Sequence, residues 1–148
     1  MVDLLTRQLT IMTMDGTRLA VPLSSSVTIE RTVQLQPGET AGQVVGTILS
    51  RNQRYPVYAL SRHLAVLAEL PAQRAFCVCL EDEHGPQRLA IACDTVTPVR
   101  LDHAARIQLL PTCMQATGTP LQGLCTVAQQ LVLVSSAEAL GAYLLGKE

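Results

Sequence analysis

From Val44 to Leu60 the chain reads as one apolar run, a polar insert (Ser50-Arg51-Asn52-Gln53-Arg54) and a second apolar run, Tyr55-Pro56-Val57-Tyr58-Ala59-Leu60. Two short β-rich runs about a tight polar turn predict a hairpin, which presents its turn arginine on rigid backbone. The arrangement recurs. Gln8–Met14 alternates, Asp15-Gly16 is a strong turn pair, and Arg18–Leu23 continues as a second strand. Alternation resumes over Val27–Leu35 after three serines, and Pro37-Gly38 marks the next turn. Arg74–Leu80 and Gln87–Cys93 flank the charged turn Glu81–Pro86; after the irregular stretch Thr112–Pro120, Leu121–Val127 and Gln130–Val134 flank Ala128-Gln129. Ser61–Leu70 has helical composition and ends before Pro71, and the S-x-x-E spacing of Ser135 to Glu138 predicts a capped helix over Ala137–Leu145. Roughly nine or ten short strands with two small helices predict a mainly β fold of antiparallel barrels.

Composition narrows the function. The 148 residues suit one domain over 1–148; 48% are hydrophobic and only 16% charged, less charge than an ordinary soluble domain carries. A net charge of −1 gives no general attraction to nucleic acid or to an anionic membrane, and one Phe, three Tyr and no Trp offer no platform for base stacking. No stretch approaches the length of a membrane helix, and the first residues lack the pattern of a signal peptide, so the expected compartment is the cytoplasm. Five cysteines, odd in number and mostly set among Val, Leu and Ala, read as reduced, packed thiols.

Catalytic constellations are poor. Cys77 and Cys79 share one face of a strand, but no second Cys/His pair stands at zinc-site spacing. His63, His84 and His103 fall on a helical face, a charged turn and a surface loop, each reading as solvated. Glu81, Asp82 and Glu83 read as a solvated hairpin tip, and no nucleophile elbow, P-loop or dinucleotide fingerprint occurs. Neither an enzyme nor a cofactor or metal site is expected.

Three stretches in order carry a resemblance: Val45-Gly46-Thr47-Ile48-Leu49-Ser50-Arg51-Asn52 followed by Pro56-Val57-Tyr58-Ala59-Leu60; Arg88 to Val99, RLAIACDTVTPV; and Leu121-Gln122-Gly123-Leu124 followed by Gln130–Val134 and the closing helix. Together with the first hairpin they resemble the CheW family, which couples chemoreceptors to the CheA histidine kinase, over about residues 8–145. The resemblance implies two small five-stranded barrels of interleaved sequence sharing a core, no catalytic site, and two partners: the regulatory domain of a CheA-type kinase, and a chemoreceptor's cytoplasmic tip in a groove between the barrels. It places Arg51 where the family's coupling arginine stands, with Asn52 beside it, and makes Val44, Ile48, Leu49, Val57 and Val99 candidates for the apolar contact surface. A guanidinium at Arg51 suits bidentate bonding to a partner's carboxylate.

The departures are specific. Asn52 replaces the glycine after the arginine, and Ala59, Pro98 and Ser135 replace acids, while Asp94 keeps one. They suggest a specialised coupling protein, for instance in pilus motility or another non-flagellar array. The alternative is a CheW-like module that no longer couples and instead binds a ligand or competes for array sites. A thiol sensor using Cys77 and Cys79 is a third reading.

Overall fold

The computed structural model describes residues 7–37, 44–82, 88–101, 107–110 and 120–145. Gln8–Met14 (β1) and Thr17–Pro22 (β2) pair antiparallel about Asp15-Gly16, whose φ values of 50° and 87° suit an Asp-Gly hairpin turn. A short 3-10 turn at Leu23–Ser25 then carries the chain into a second sheet: Ser26–Arg31 (β3), Gly46–Ser50 (β4), Gln53–Leu60 (β5), Val66–Leu67 (β6), Phe76–Glu81 (β7) and Arg88–Cys93 (β8). Asp94 alone separates β8 from Thr95–Arg100 (β9), which returns to the first sheet. Gln108–Leu109 (β10), Gly123–Val127 (β11), Gln130–Val134 (β12) and a helix, Ala137–Leu145 (α1), follow.

The first sheet runs β10-β11-β12-β2-β1-β9. The second runs β3-β7-β8-β5-β4, with β6 paired to β5. Each therefore has five full strands and a sixth of two residues, so the mainly β architecture expected from sequence is the one observed. The second sheet curls on itself. Its outer strands β3 and β4 meet through hydroxyls: Ser50 Oγ lies 2.6 Å from Thr28 Oγ1 and donates to Glu30 Oε2 at 2.6 Å.

Three apolar clusters explain why the strand sequences read as near-continuous apolar runs: most strands are covered on both faces. Leu9 and Ile11 of β1, with Ala20, Cys125, Val132 and Val134, fill the first sheet's interior. Ile48, Tyr55, Val57, Cys77, Cys79, Ala90 and Ala92 fill the second's. The opposite faces of the same strands meet in a central layer: Met12, Met14, Leu19 and Val21 of the first sheet against Tyr58, Leu60, Val78, Leu80, Leu89 and Ile91 of the second. Helix α1 lays Ala137, Leu140 and Leu144, at i, i+3 and i+7, onto that layer. Each Leu, Ile, Val or Met side chain in these layers contributes about 1.5–3 kcal/mol by burial.

Several expectations need correction. No helix forms over Ser61–Leu70. The Ser61 hydroxyl accepts from the backbone N–H of His63 and of Ala65, Leu64 takes φ 65°, and the chain doubles back so that β6 pairs with the end of β5. A serine side chain bonding local N–H groups competes directly with a helix. The strand expected to Leu35 ends at Arg31, where a 3-10 turn, Thr32–Gln34, begins. The helix cap is Ser136, which accepts from Ala139 N at 3.0 Å, whereas Ser135 donates to Pro120 O at 2.6 Å. Both serines fit a cap by composition, and only the buried carbonyl partner separates them. Strand β9, not anticipated from alternation, is the outer strand of the first sheet. Leu101 N donates to Arg7 O, which fixes the alternation on β9 and turns the ring nitrogen of Pro98 to the open edge, where no N–H is needed. The expected features Gly38, His84, His103, Cys113 and most of Thr112–Pro120 lie outside the described residues.

Candidate partner-binding surface

The β4–β5 hairpin closes in two residues. Ser50 pairs with Gln53, and Arg51 and Asn52 take φ values of 53° and 63°, the left-handed pair that matches the twist of the flanking strands. Asn adopts this region readily; arginine does so at an expense of roughly 1–2 kcal/mol. The hairpin's base is fixed by Ser50, buried between Thr28 and Glu30, so the turn is anchored to β3 as well as to β5.

Alternation sets the outer face. With Ile48 and Ser50 inward, Leu49 points out and is 53% exposed, facing Arg54 across the hairpin; with Thr28 and Glu30 inward, Ile29 points out and is 48% exposed, followed by Arg31. Arg31, Arg51 and Arg54 are exposed and form no ion pair with the described residues. Two large apolar side chains thus stand near three guanidiniums that have no ion-pair partner among the described residues. At the same end, Arg88 bonds Glu81 Oε1 and Gln53 Oε1, each at 2.8 Å. Burial pushes the Tyr55 phenol up, and Glu81 adds to the shift while Arg88 and Arg51 oppose it.

The seven residues singled out from sequence do not form one surface. Arg51, Asn52 and Leu49 are exposed on this hairpin. Ile48 and Val57 are buried inside the second sheet, and their side chains are unavailable to a partner without unfolding. Val44 packs against the central layer and Val99 against the first sheet's interior, each half-buried. Alternation within β3 and within β5 adds Ile29 and Arg54 to the outward-facing residues here. Arg74, a fully buried cation, carries no local sequence signal of that burial.

The thiols are packed and weakly acidic. Cys77, Cys79 and Cys93 are fully buried, and burial pushes Cys79 up to about 11 and Cys93 up to about 12; Cys77 and Cys125 shift the same way for the same reason. A reactive thiolate needs the opposite environment, so Cys77 and Cys79 behave as small core residues. No group of three or more His, Cys, Asp or Glu residues among the described residues is arranged to hold a metal ion. No helix among them is long and apolar enough to cross a membrane.

Two sheets about a shared apolar layer, with exposed arginines beside exposed apolar side chains on one outer face, define the architecture. The chain belongs to the CheW-like domain family, whose model matches residues 8–143. The scaffolding protein TtCheW from Thermoanaerobacter tengcongensis has the same fold: TM-score 0.67 at 14% identity, over 88% of this chain and 89% of that one. No curated protein matches the chain in sequence. Membership in this family supports an adaptor-type role.

Proposed function

We propose that this chain is a cytoplasmic, non-enzymatic adaptor coupling chemoreceptors to a CheA-type histidine kinase, and that the outer face of the β4–β5 hairpin takes part in the contact. The observation that carries the reading is the trio Arg31, Arg51 and Arg54, without an ion pair among the described residues, near Ile29 and Leu49 where Ser50 anchors the β4–β5 hairpin to β3. Apolar anchors desolvate the centre of such a contact, and arginines pair with a partner's carboxylates at its rim. Of the residues chosen from sequence, Arg51, Asn52 and Leu49 are offered for this surface. Val44 and Val99 are offered for the margin where the two sheets meet.

The test is co-elution of the full chain with the regulatory domain of its cognate kinase, and with a receptor cytoplasmic fragment. Arg51→Glu should weaken binding at least tenfold, since it places like charge against the partner's carboxylates. Independent elution of the native chain from both partners would overturn the reading.

A further inference from the structure

Arg74 is the largest fully buried side chain in the described protein, with 0% of its side chain exposed. Its Nη2 donates to Asp15 Oδ2 at 2.8 Å and its Nη1 to the Leu60 carbonyl at 2.8 Å, with Ala92 O at 3.5 Å. Nε lies 2.9 Å from Asp94 Oδ1, close enough for an ion pair but off the line of a good hydrogen bond. The other Asp94 oxygen accepts from the Asp15 backbone N–H at 2.9 Å, and Gln73 Nε2 donates to Asp15 Oδ1 at 2.7 Å. One guanidinium therefore holds the β1–β2 turn of the first sheet, the ends of β5 and β8 in the second, and the residue at which the chain passes between them. Two neutral braces join nearby: Thr17 Oγ1 donates to Arg62 O at 2.6 Å, and the Tyr143 hydroxyl to Leu64 O at 2.8 Å.

A cavity of about 560 Å³ lies alongside, lined by Arg31, Thr32, Val33, Phe76 and part of Arg74. It offers a rival explanation, in which Arg74 serves an anion. The geometry opposes it: the guanidinium is wholly buried and turned to two carboxylates and two carbonyls of its own chain.

We infer that Arg74 is a positioning residue that sets the orientation of the two sheets relative to each other. The central layer holds the sheets together, but apolar attraction scales with area and has no direction, and aliphatic faces can repack by small slides and rotations. A forked guanidinium bonded to fixed acceptors on both sheets does have direction. Buried ion clusters often add little net stability over apolar replacements of the same size, which leaves geometry as the role for this one.

The experiment is measurement of amide residual dipolar couplings on the full, isotopically labelled chain, fitting one alignment tensor to both sheets and then one to each. The native protein should fit a single tensor. In Arg74→Met the separate fits should stay good while the joint fit fails. The triple variant Arg74→Met, Asp15→Asn, Asp94→Asn removes the stranded carboxylates, so it should regain stability and still fail the joint fit. A joint fit that survives in either folded variant overturns the inference. Should Arg74→Met not fold, Asp15→Asn in the native background decides: a displaced tensor for the first sheet supports the inference, and an unchanged joint fit overturns it. The inference does not depend on the adaptor reading, since a chain that bound no kinase would give the same couplings.

Discussion

Arg51 and Arg74 are the same residue in opposite settings. Arg51 sits at a two-residue turn, exposed, with no ion pair among the described residues and at a backbone angle arginine disfavours. Arg74 sits between two sheets, wholly buried, its donors aimed at carboxylates and carbonyls of the chain itself. Residue type therefore says little about role here. A guanidinium with its acceptors already in place holds the fold, and one that stands free among exposed apolar side chains is available to something outside it.

The sharpest way to break the contrast is through stability. Arg74→Met strands the half-buried Asp94 carboxylate, frees the more exposed Asp15 and leaves the Leu60 carbonyl without its donor, and should lower the unfolding free energy by about 2 kcal/mol, whereas Arg51→Ala, on an exposed turn, should stay within about 0.5 kcal/mol. Urea titration of the two variants measures both. Equal losses would show that the buried cluster is no more structural than the turn.

Alkaline pH gives the next effect. Cys93 lies beside the cluster, and burial lifts its thiol from an ordinary value near 9 to about 12, with Asp94 adding and Arg74 opposing. A raised folded-state pKa means that the unfolded chain ionises first. Stability from this group is complete below about pH 9 and declines as pH rises toward about 12. Thermal melts across that window should fall more steeply for the native chain than for Cys93→Ala; identical slopes would remove Cys93 as a cause.

These two arginines also mark what the sequence could convey. The hairpins are legible because turn chemistry is local: Asp15-Gly16 and the Arg51-Asn52 pair each sit where a polar pair interrupts apolar runs, and Ala128-Gln129 sits where the run Leu121–Val127 breaks before Gln130–Val134. The family motifs placed Arg51 at a turn for the same reason. Arg74 was illegible, since its partners are 59 residues away at Asp15 and 14 away at the Leu60 carbonyl, and no local pattern announces them. The false helix at Ser61–Leu70 fails similarly. Its composition suits a helix, but the Ser61 hydroxyl and the pairing of Val66–Leu67 with β5 decide otherwise. The resemblance offers Ile48 and Val57 as apolar contact residues, and apolarity does not distinguish a contact surface from the interior they occupy.

The smallest effects compare two turns of one geometry. Ala128 and Gln129 take φ values of 51° and 65°, close to the 53° and 63° of Arg51 and Asn52, and nothing in the structure gives that distal turn a role. Replacing Ala128 by Asn and Gln129 by Gly should raise stability by about 1–2 kcal/mol, because Asn and Gly enter the left-handed region with little strain. Arg51→Gly should relieve the same strain once, for about 1 kcal/mol, and should also weaken binding to the kinase regulatory domain. A gain at both turns with binding lost only at Arg51 would mean that the chain keeps a strained arginine where it meets a partner. Unchanged binding in Arg51→Gly would instead make the strain at Arg51 as incidental as that at Ala128, and would move the contact to Leu49, Ile29 and the two remaining arginines.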